Sequence, residues 1–234
     1  MDANNKNAAD VTRPRPTGEH VDTWEMVVVH RMFRREFRAM PGLLRAVVAG
    51  DTARSEYVGE HIALLATALH HHHSGEDELL WPTLLGRVGS LNTDLVARME
   101  AQHEVVSVGL ATVDTLLPRW RSTADASTRD ELATVLAEVS AALDEHLDEE
   151  EKEVLPLVSS YITQAEWTAI GEHGKSGLPK GRKGFVALGM ILEDATPDER
   201  VRFLDLLPVP VKLIYKLIGA GIYRRADARL HGAV

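Results

Sequence analysis

Four times along this chain apolar residues recur at alternating steps of three and four, and each of those rows is broken by a histidine. The first row is Met26, His30, Phe33, Phe37 and Met40, ending near Pro41-Gly42. The second is Val58, Ile62, Leu65, Leu69, His72, Glu76 and Leu79. The third is Val96, Met99, His103, Val106, Leu110, Val113 and Leu117, stopping at Pro118; the fourth is Leu132, Leu136, Val139, Leu143, His146, Glu150 and Val154, before Pro156. Such spacing puts a continuous stripe on one helical face, which must be buried against another element. Loop-forming residues separate the rows at Gly50-Asp51, Gly86 to Asn92 and Ser122 to Thr128. The expected fold is therefore all-α: an antiparallel up-down-up-down four-helix bundle over residues 21–164.

Imidazoles and carboxylates are costly to bury unless they are hydrogen-bonded or hold a metal. One buried histidine would mean little, but here every inward row carries one, and two rows carry a glutamate four residues on. The second row lies in LHHHHSGEDELLWP, residues 69–82, where four histidines stand together. His72 continues the Leu65–Leu69 row and Glu76 follows one turn later, so both reach the same site. His73 and Asp77 share that spacing, but their row runs back through His70 and Ala66. His70, His71 and His73 are therefore expected to be solvated or to stand behind the ligands.

An internal repeat supports the choice. HHSGEDELLWP (72–82) aligns without gaps to HLDEEEKEVLP (146–156), and a single histidine precedes each on the previous helix, His30 and His103. Two helical hairpins related by an approximate two-fold axis would gather His30, His72, Glu76, His103, His146 and Glu150 at the bundle centre. Carboxylate and imidazole donors without sulfur favour iron or manganese, with zinc also compatible. Two imidazoles per metal and two bridging carboxylates suit a pair of iron ions joined by an oxo or hydroxo bridge. Glu100, Glu104 and Asp144 are candidates to hold the outer imidazole nitrogens.

Composition excludes other chemistry. With no cysteine there are no disulfides, thiolate metal sites or cysteine nucleophiles. A net charge of −9 argues against general nucleic-acid binding. The first twenty residues lack an apolar core and read as a flexible arm, not a signal peptide, and no stretch is apolar for long enough to span a bilayer. The expected location is cytoplasmic.

His30, HHSGEDELLWP, the QHE segment at His103 and HLDEEEKEVLP together resemble the hemerythrin family, specifically its bacterial HHE cation-binding branch, over residues 22–160. The resemblance implies a non-haem di-iron centre handling O2, H2O2 or NO. It implies His30 and His72 on one iron, His103 and His146 on the other, and bridging Glu76 and Glu150. Oxygen-carrying hemerythrins have a second histidine four residues on in the third helix, where this chain has Ser107. Both irons would then keep an open position, which favours catalase-like turnover of H2O2 in oxidative or nitrosative stress. The alternative is an O2- or NO-binding sensor without turnover, signalling through the C-terminal extension. The carriers also place a carboxylate five residues after the last histidine, which leaves Glu151 beside Glu150 as a bridging candidate. Tyr57 lies too far along its helix to join the centre.

Charge changes sign along the chain: residues 1–164 hold 15 basic and 27 acidic side chains, residues 165–234 hold 11 and 8. This marks a boundary and a C-terminal extension. GEHGKSGLPKGRKG (171–184) reads as a basic loop, FVALGMILED as a short helix, and TPDERVRFLDLL as a helix with a threonine cap and proline at its first position. PVPVKLIYKLIGAGIYRRADARLHG reads as an apolar helix with basic ends. The extension is expected to be a helical layer on the bundle. Lys212, Lys216, Arg224 and Arg225 alternatively fit a partner- or membrane-surface element, and no protein partner is specified. His173 and His231 receive no role.

Overall fold

The computed structural model describes Gly18, residues 20–88 and residues 92–232, and the regular structure among them is all helical. The expected arm, 1–20, lies outside the described residues except for Gly18 and His20. The four rows become α1 (Trp24–Arg45), α2 (Thr52–Gly75) continued by α3 (Trp81–Val88), α4 (Thr93–Thr123), and α5 (Ala126–Glu149) continued by α6 (Leu155–Tyr161). Side-chain caps fix two of the starts. Asp51 accepts from the Arg54 backbone N–H at 2.9 Å, and Asp125 accepts from that of Thr128 at 2.8 Å.

Prolines expected to end these helices do not. α1 runs through Pro41-Gly42 because Leu43, Leu44 and Val47 beyond them are buried. α4 continues past Pro118, whose exposure leaves the freed Asp114 carbonyl open to water, and buried Trp120 anchors the added turn. Pro82 and Pro156 are passed differently. Just before each, the helix widens: Trp81 N–H bonds to the carbonyl of Glu76, and Leu155 N–H to that of Glu150, five residues back rather than four. A proline ring clashes with the carbonyl four residues before it, and the wider turn relieves that clash. Both wide turns begin on the glutamates of the repeat.

α1 packs on α5 and α2, and α4 on α5 and α2. Along each pair one residue number rises as the other falls. Arg34 meets Asp148 while Arg38 meets Asp144; Arg98 meets Glu149 while Gly109 faces Val139; Ser55 meets Arg121 while Glu76 meets His103; and His30 meets His72 while Glu36 meets His61. Two apolar clusters form the core. One includes Phe33, Phe37, Leu65, Leu69, Val106, Leu110, Leu136 and Leu143. The other includes Met26, Leu80, Trp81, Val96, Met99, Val154 and Val158. The inward histidines and glutamates lie between them as a polar layer.

The C-terminal residues form α7 (Gln164–Ser176), α8 (Gly181–Glu193), α9 (Pro197–Asp205), α10 (Val209–Ile214) and, after another wide turn, α11 (Ala220–Leu230). The loop expected over 171–184 is mostly helical. A Thr163–Glu166 capping box starts α7, and buried Trp167 and Ile170 hold it in place. α9 begins with the expected cap, Thr196, in a second capping box with Glu199. α7 packs on α2, and α8 on α1 and α11. The Arg35 guanidinium donates to the Met190 carbonyl at 2.8 Å, and Arg31 to that of Asp194 at 2.9 Å, tying α8 to α1. No helix among the described residues is long and apolar enough to cross a membrane.

Candidate metal centre

His30, Glu76, His103, His146 and Glu150 are buried and His72 nearly so, and all six meet in the polar layer. The imidazoles form two pairs. His30 Nε2 lies 3.2 Å from His72 Nε2, and His103 Nε2 lies 3.1 Å from His146 Nε2. Each glutamate spans both pairs. Glu76 Oε1 is 3.3 Å from His72 Nε2 and its Oε2 is 3.4 Å from His103 Nε2. Glu150 Oε2 is 3.4 Å from His30 Nε2 and 3.7 Å from His146 Nε2. The two-fold relation of the repeat thus holds in space, with each carboxylate joining its own hairpin's second histidine to the other hairpin's first.

The backs of the rings follow the same symmetry. Asp77 Oδ1 lies 2.7 Å from His103 Nδ1, and Glu151 Oε1 lies 3.0 Å from His30 Nδ1. Each acid directly follows a glutamate of the repeat. Glu151 is therefore placed behind His30, where Arg34 donates to it at 2.6 Å, and Glu150 is the residue at the centre. His146 Nδ1 lies 3.1 Å from Gln102 Oε1. The expected outer partners are elsewhere: Glu100 and Glu104 are exposed, and Asp144 pairs with Arg38.

One residue breaks the symmetry. His73, expected outside the centre, is buried in it, where the second hairpin has buried Leu147. It belongs to the row Ile62, Ala66, Leu69, His73, Glu76 and Leu80, all buried, which a step of four back to Leu69 would have revealed. Its ring stacks on His103, with centroids 4.0 Å apart and planes 7° apart, and its Nε2 has no hydrogen-bond partner. His70 is exposed, His71 half-buried against α7, and Tyr57 donates to the Ala226 carbonyl at 3.0 Å, well away from the centre. Ser107 is exposed.

All four oxygens of Glu76 and Glu150 are buried without a hydrogen-bond partner. A native interior rarely leaves such atoms unpaired, and a cation among them satisfies every one. The ring spacing fits too, since two nitrogens at right angles, each about 2.1 Å from one ion, stand about 3 Å apart. The seven residues fall into two overlapping groups that could each hold an ion: His30, His72, Glu76 and Glu150, and His73, Glu76, His103 and His146.

The family model for the hemerythrin HHE cation-binding domain matches residues 21–158. The chain belongs to that family. No curated protein and no solved structure matches it. The match spans both hairpins of this hemerythrin-family chain, and with them every residue of the centre.

Without a metal, the centre's electrostatics are set by burial and by its own charges. Burial pushes His72 down to about 4 and His146 to about 3, and holds His73 well below its usual range, so these rings are neutral donors at neutral pH. Burial also acts against the charged form of His103, but Asp77 and Glu76 outweigh it and raise that ring to about 10. Burial would raise Glu76, yet His72 and His103 bring it down to about 2. Glu150 is raised well above the usual carboxylate range by burial and by the neighbouring Glu76 charge. Two buried carboxylates so close keep one proton unless cations replace it.

Removing a ring's outer partner should weaken metal binding without dismantling the centre. Asp77→Ala frees His103 Nδ1 and the Trp81 indole N–H, which donates to Asp77 at 3.0 Å. Metal affinity is expected to fall by about 10–100-fold, read by competition with a chelator. An unchanged affinity would mean that Asp77 does not orient His103.

Proposed function

We propose that this chain is a non-haem di-iron protein in which His30 and His72 hold one iron, His103 and His146 the other, and Glu76 and Glu150 bridge them. The observation that carries this is the pair of buried glutamates, each reaching a histidine of both pairs with its oxygens otherwise unpartnered. The antiparallel course of the four packed helices supports an up-down-up-down bundle over 21–164 as the scaffold, with 165–234 as an added helical extension. Iron suits the donor set, two carboxylates and four imidazoles without sulfur, and when bound there would supply the redox couple that chemistry on O2, H2O2 or NO needs.

Within that class we propose turnover of hydrogen peroxide, two H2O2 giving two H2O and O2. The stacked geometry of His73 favours it. An imidazole donates in its ring plane, so two rings on one ion need planes that meet at that ion. The planes of His30 and His72 cross at 82°, and those of His103 and His146 at 69°. His73 lies parallel to His103 with ring centroids 4.0 Å apart, so it stands beside the ligands rather than among them. Its unpartnered Nε2, kept neutral by burial, can then accept a hydrogen bond from peroxide and orient it, while Asp77, Gln102 and Glu151 hold the ligating rings still. The second reading is a sensor that binds O2 or NO without turnover. It is favoured if His73 rotates to join Glu76, His103 and His146, whose ligand atoms lie within 4.8 Å of its own.

The test is metal analysis of the purified chain, with its ultraviolet–visible spectrum and O2 evolution after adding H2O2. Iron in both positions with O2 evolution is the expected result. Iron with a ligand-sensitive spectrum and no O2 evolution selects the sensor. A chain purified without iron, and inactive when iron is supplied, overturns the proposal.

A further inference from the structure

Residues 206–225 contain no acidic side chain and four basic ones, Lys212, Lys216, Arg224 and Arg225, in a chain of net charge −9. Burial would be expected of so apolar a segment, yet Leu217 is 81% exposed and Val209 68%, with Leu206, Leu213, Ile214 and Ile218 exposed beside them. Val209, Leu213 and Leu217 follow one another at steps of four, and Ile214 and Ile218 form the next row, so the exposed atoms make one contiguous face. Lys212 and Lys216 run along its edge at the same spacing.

The inner side of the segment holds this face outward. Tyr215 is buried, its ring 6.2 Å from that of Phe185, and Gly219 lies so close to both rings that a Cβ there would overlap Tyr215. The wide turn over Tyr215–Gly219 joins α10 to α11 without breaking the helix. A contiguous apolar face of this kind on a folded chain marks an interaction surface.

We infer that the face formed by Leu206, Val209, Leu213, Ile214, Leu217 and Ile218 lies on an anionic lipid surface, with Lys216, Arg224 and Arg225 on the lipid phosphates. Charge complementarity selects this occupant. The segment is purely basic where the rest of the chain is acidic, and apolar residues beside lysine and arginine are the composition of a helix lying in a membrane interface. The acids flanking it are already paired: Asp205 with Lys212, and Asp227, which follows the arginines, with His231. A two-fold contact with a second copy would instead bring two purely basic segments together. The inference does not depend on what the metal centre does.

The experiment is flotation of the full, metal-loaded chain with vesicles of phosphatidylcholine alone and of phosphatidylcholine mixed with phosphatidylglycerol. The chain should float with the mixed vesicles and lose that binding as salt rises. Leu213→Glu with Leu217→Glu should weaken binding about tenfold or more, with metal content and helix content unchanged because both side chains are exposed. Reversing Lys216 or Arg225 to glutamate should weaken it about fivefold or more each. Failure to float with the mixed vesicles, or floating undiminished by the leucine substitutions, overturns the inference. A dimer that Leu217→Glu dissociates, with no recovery on vesicles, overturns it in favour of a second copy as occupant.

Discussion

Glu150→Leu is expected to empty the metal centre and, at the same time, to make the metal-free protein more stable. The two effects have one origin. Glu150 is buried at the end of α5 with both oxygens unpartnered, and burial with the nearby Glu76 charge keeps it protonated when no cation is present. A buried carboxyl without a partner costs about 1–3 kcal/mol. Leucine removes that cost, fills a similar volume and deletes no charge from the metal-free state. The metal-free variant should gain about 1–3 kcal/mol, a rise of several degrees in melting temperature. The loaded wild-type chain gains about 4 kcal/mol from each metal at a thousandfold excess over its dissociation constant, and the variant forfeits this. Metal analysis and urea unfolding, with and without a chelator, read both signs. A metal must also displace the proton on Glu150, so wild-type affinity should rise with pH, and this proton release should vanish in the variant. If Glu150→Leu keeps its full metal content, Glu150 is not a ligand. If its metal-free form is less stable than the wild type, the carboxylate belongs to a structural polar network.

The rows that identify the bundle are legible in the sequence because α4 and α5 keep one helical period, and the fourth row takes a step of four, Glu150 to Val154, across the wide turn that follows α5. Every residue of the third and fourth rows is buried, from Val96 to Leu117 and from Leu132 to Val154. The reading fails where the period changes. The row expected to end on Leu79 buries Leu80 instead, because the wide turn at Glu76 inserts part of a residue's rotation. Prolines 41, 82, 118 and 156 signal breaks only by local preference, and buried residues beyond each of them override it. The outer partners Asp77 and Glu151 were hidden for another reason. They follow the candidate ligands Glu76 and Glu150 in sequence, but each supports a ring on a different helix, a contact that only the crossing of the two hairpins creates.

On the reading proposed above, His73 separates turnover from ligand sensing, and a single substitution distinguishes its roles. His73→Phe keeps the flat ring stacked on His103 and removes both ring nitrogens. If His73 positions peroxide, metal content is unchanged and O2 evolution from H2O2 falls about 100-fold, the size expected when a reactant loses a positioning contact. If His73 turns to ligate beside His103 and His146, the variant loses metal from that position, and the spectrum of the remaining metal changes with it. The stacked rings argue for the first outcome. His73 Nε2 is buried and unpartnered, while the planes of His73 and His103 differ by only 7° and cannot both be directed at one ion. Turning His73 into the ligand set would break that stack and place three imidazoles on one position against two on the other. Retention of both metal and turnover in His73→Phe would assign the ring to packing alone.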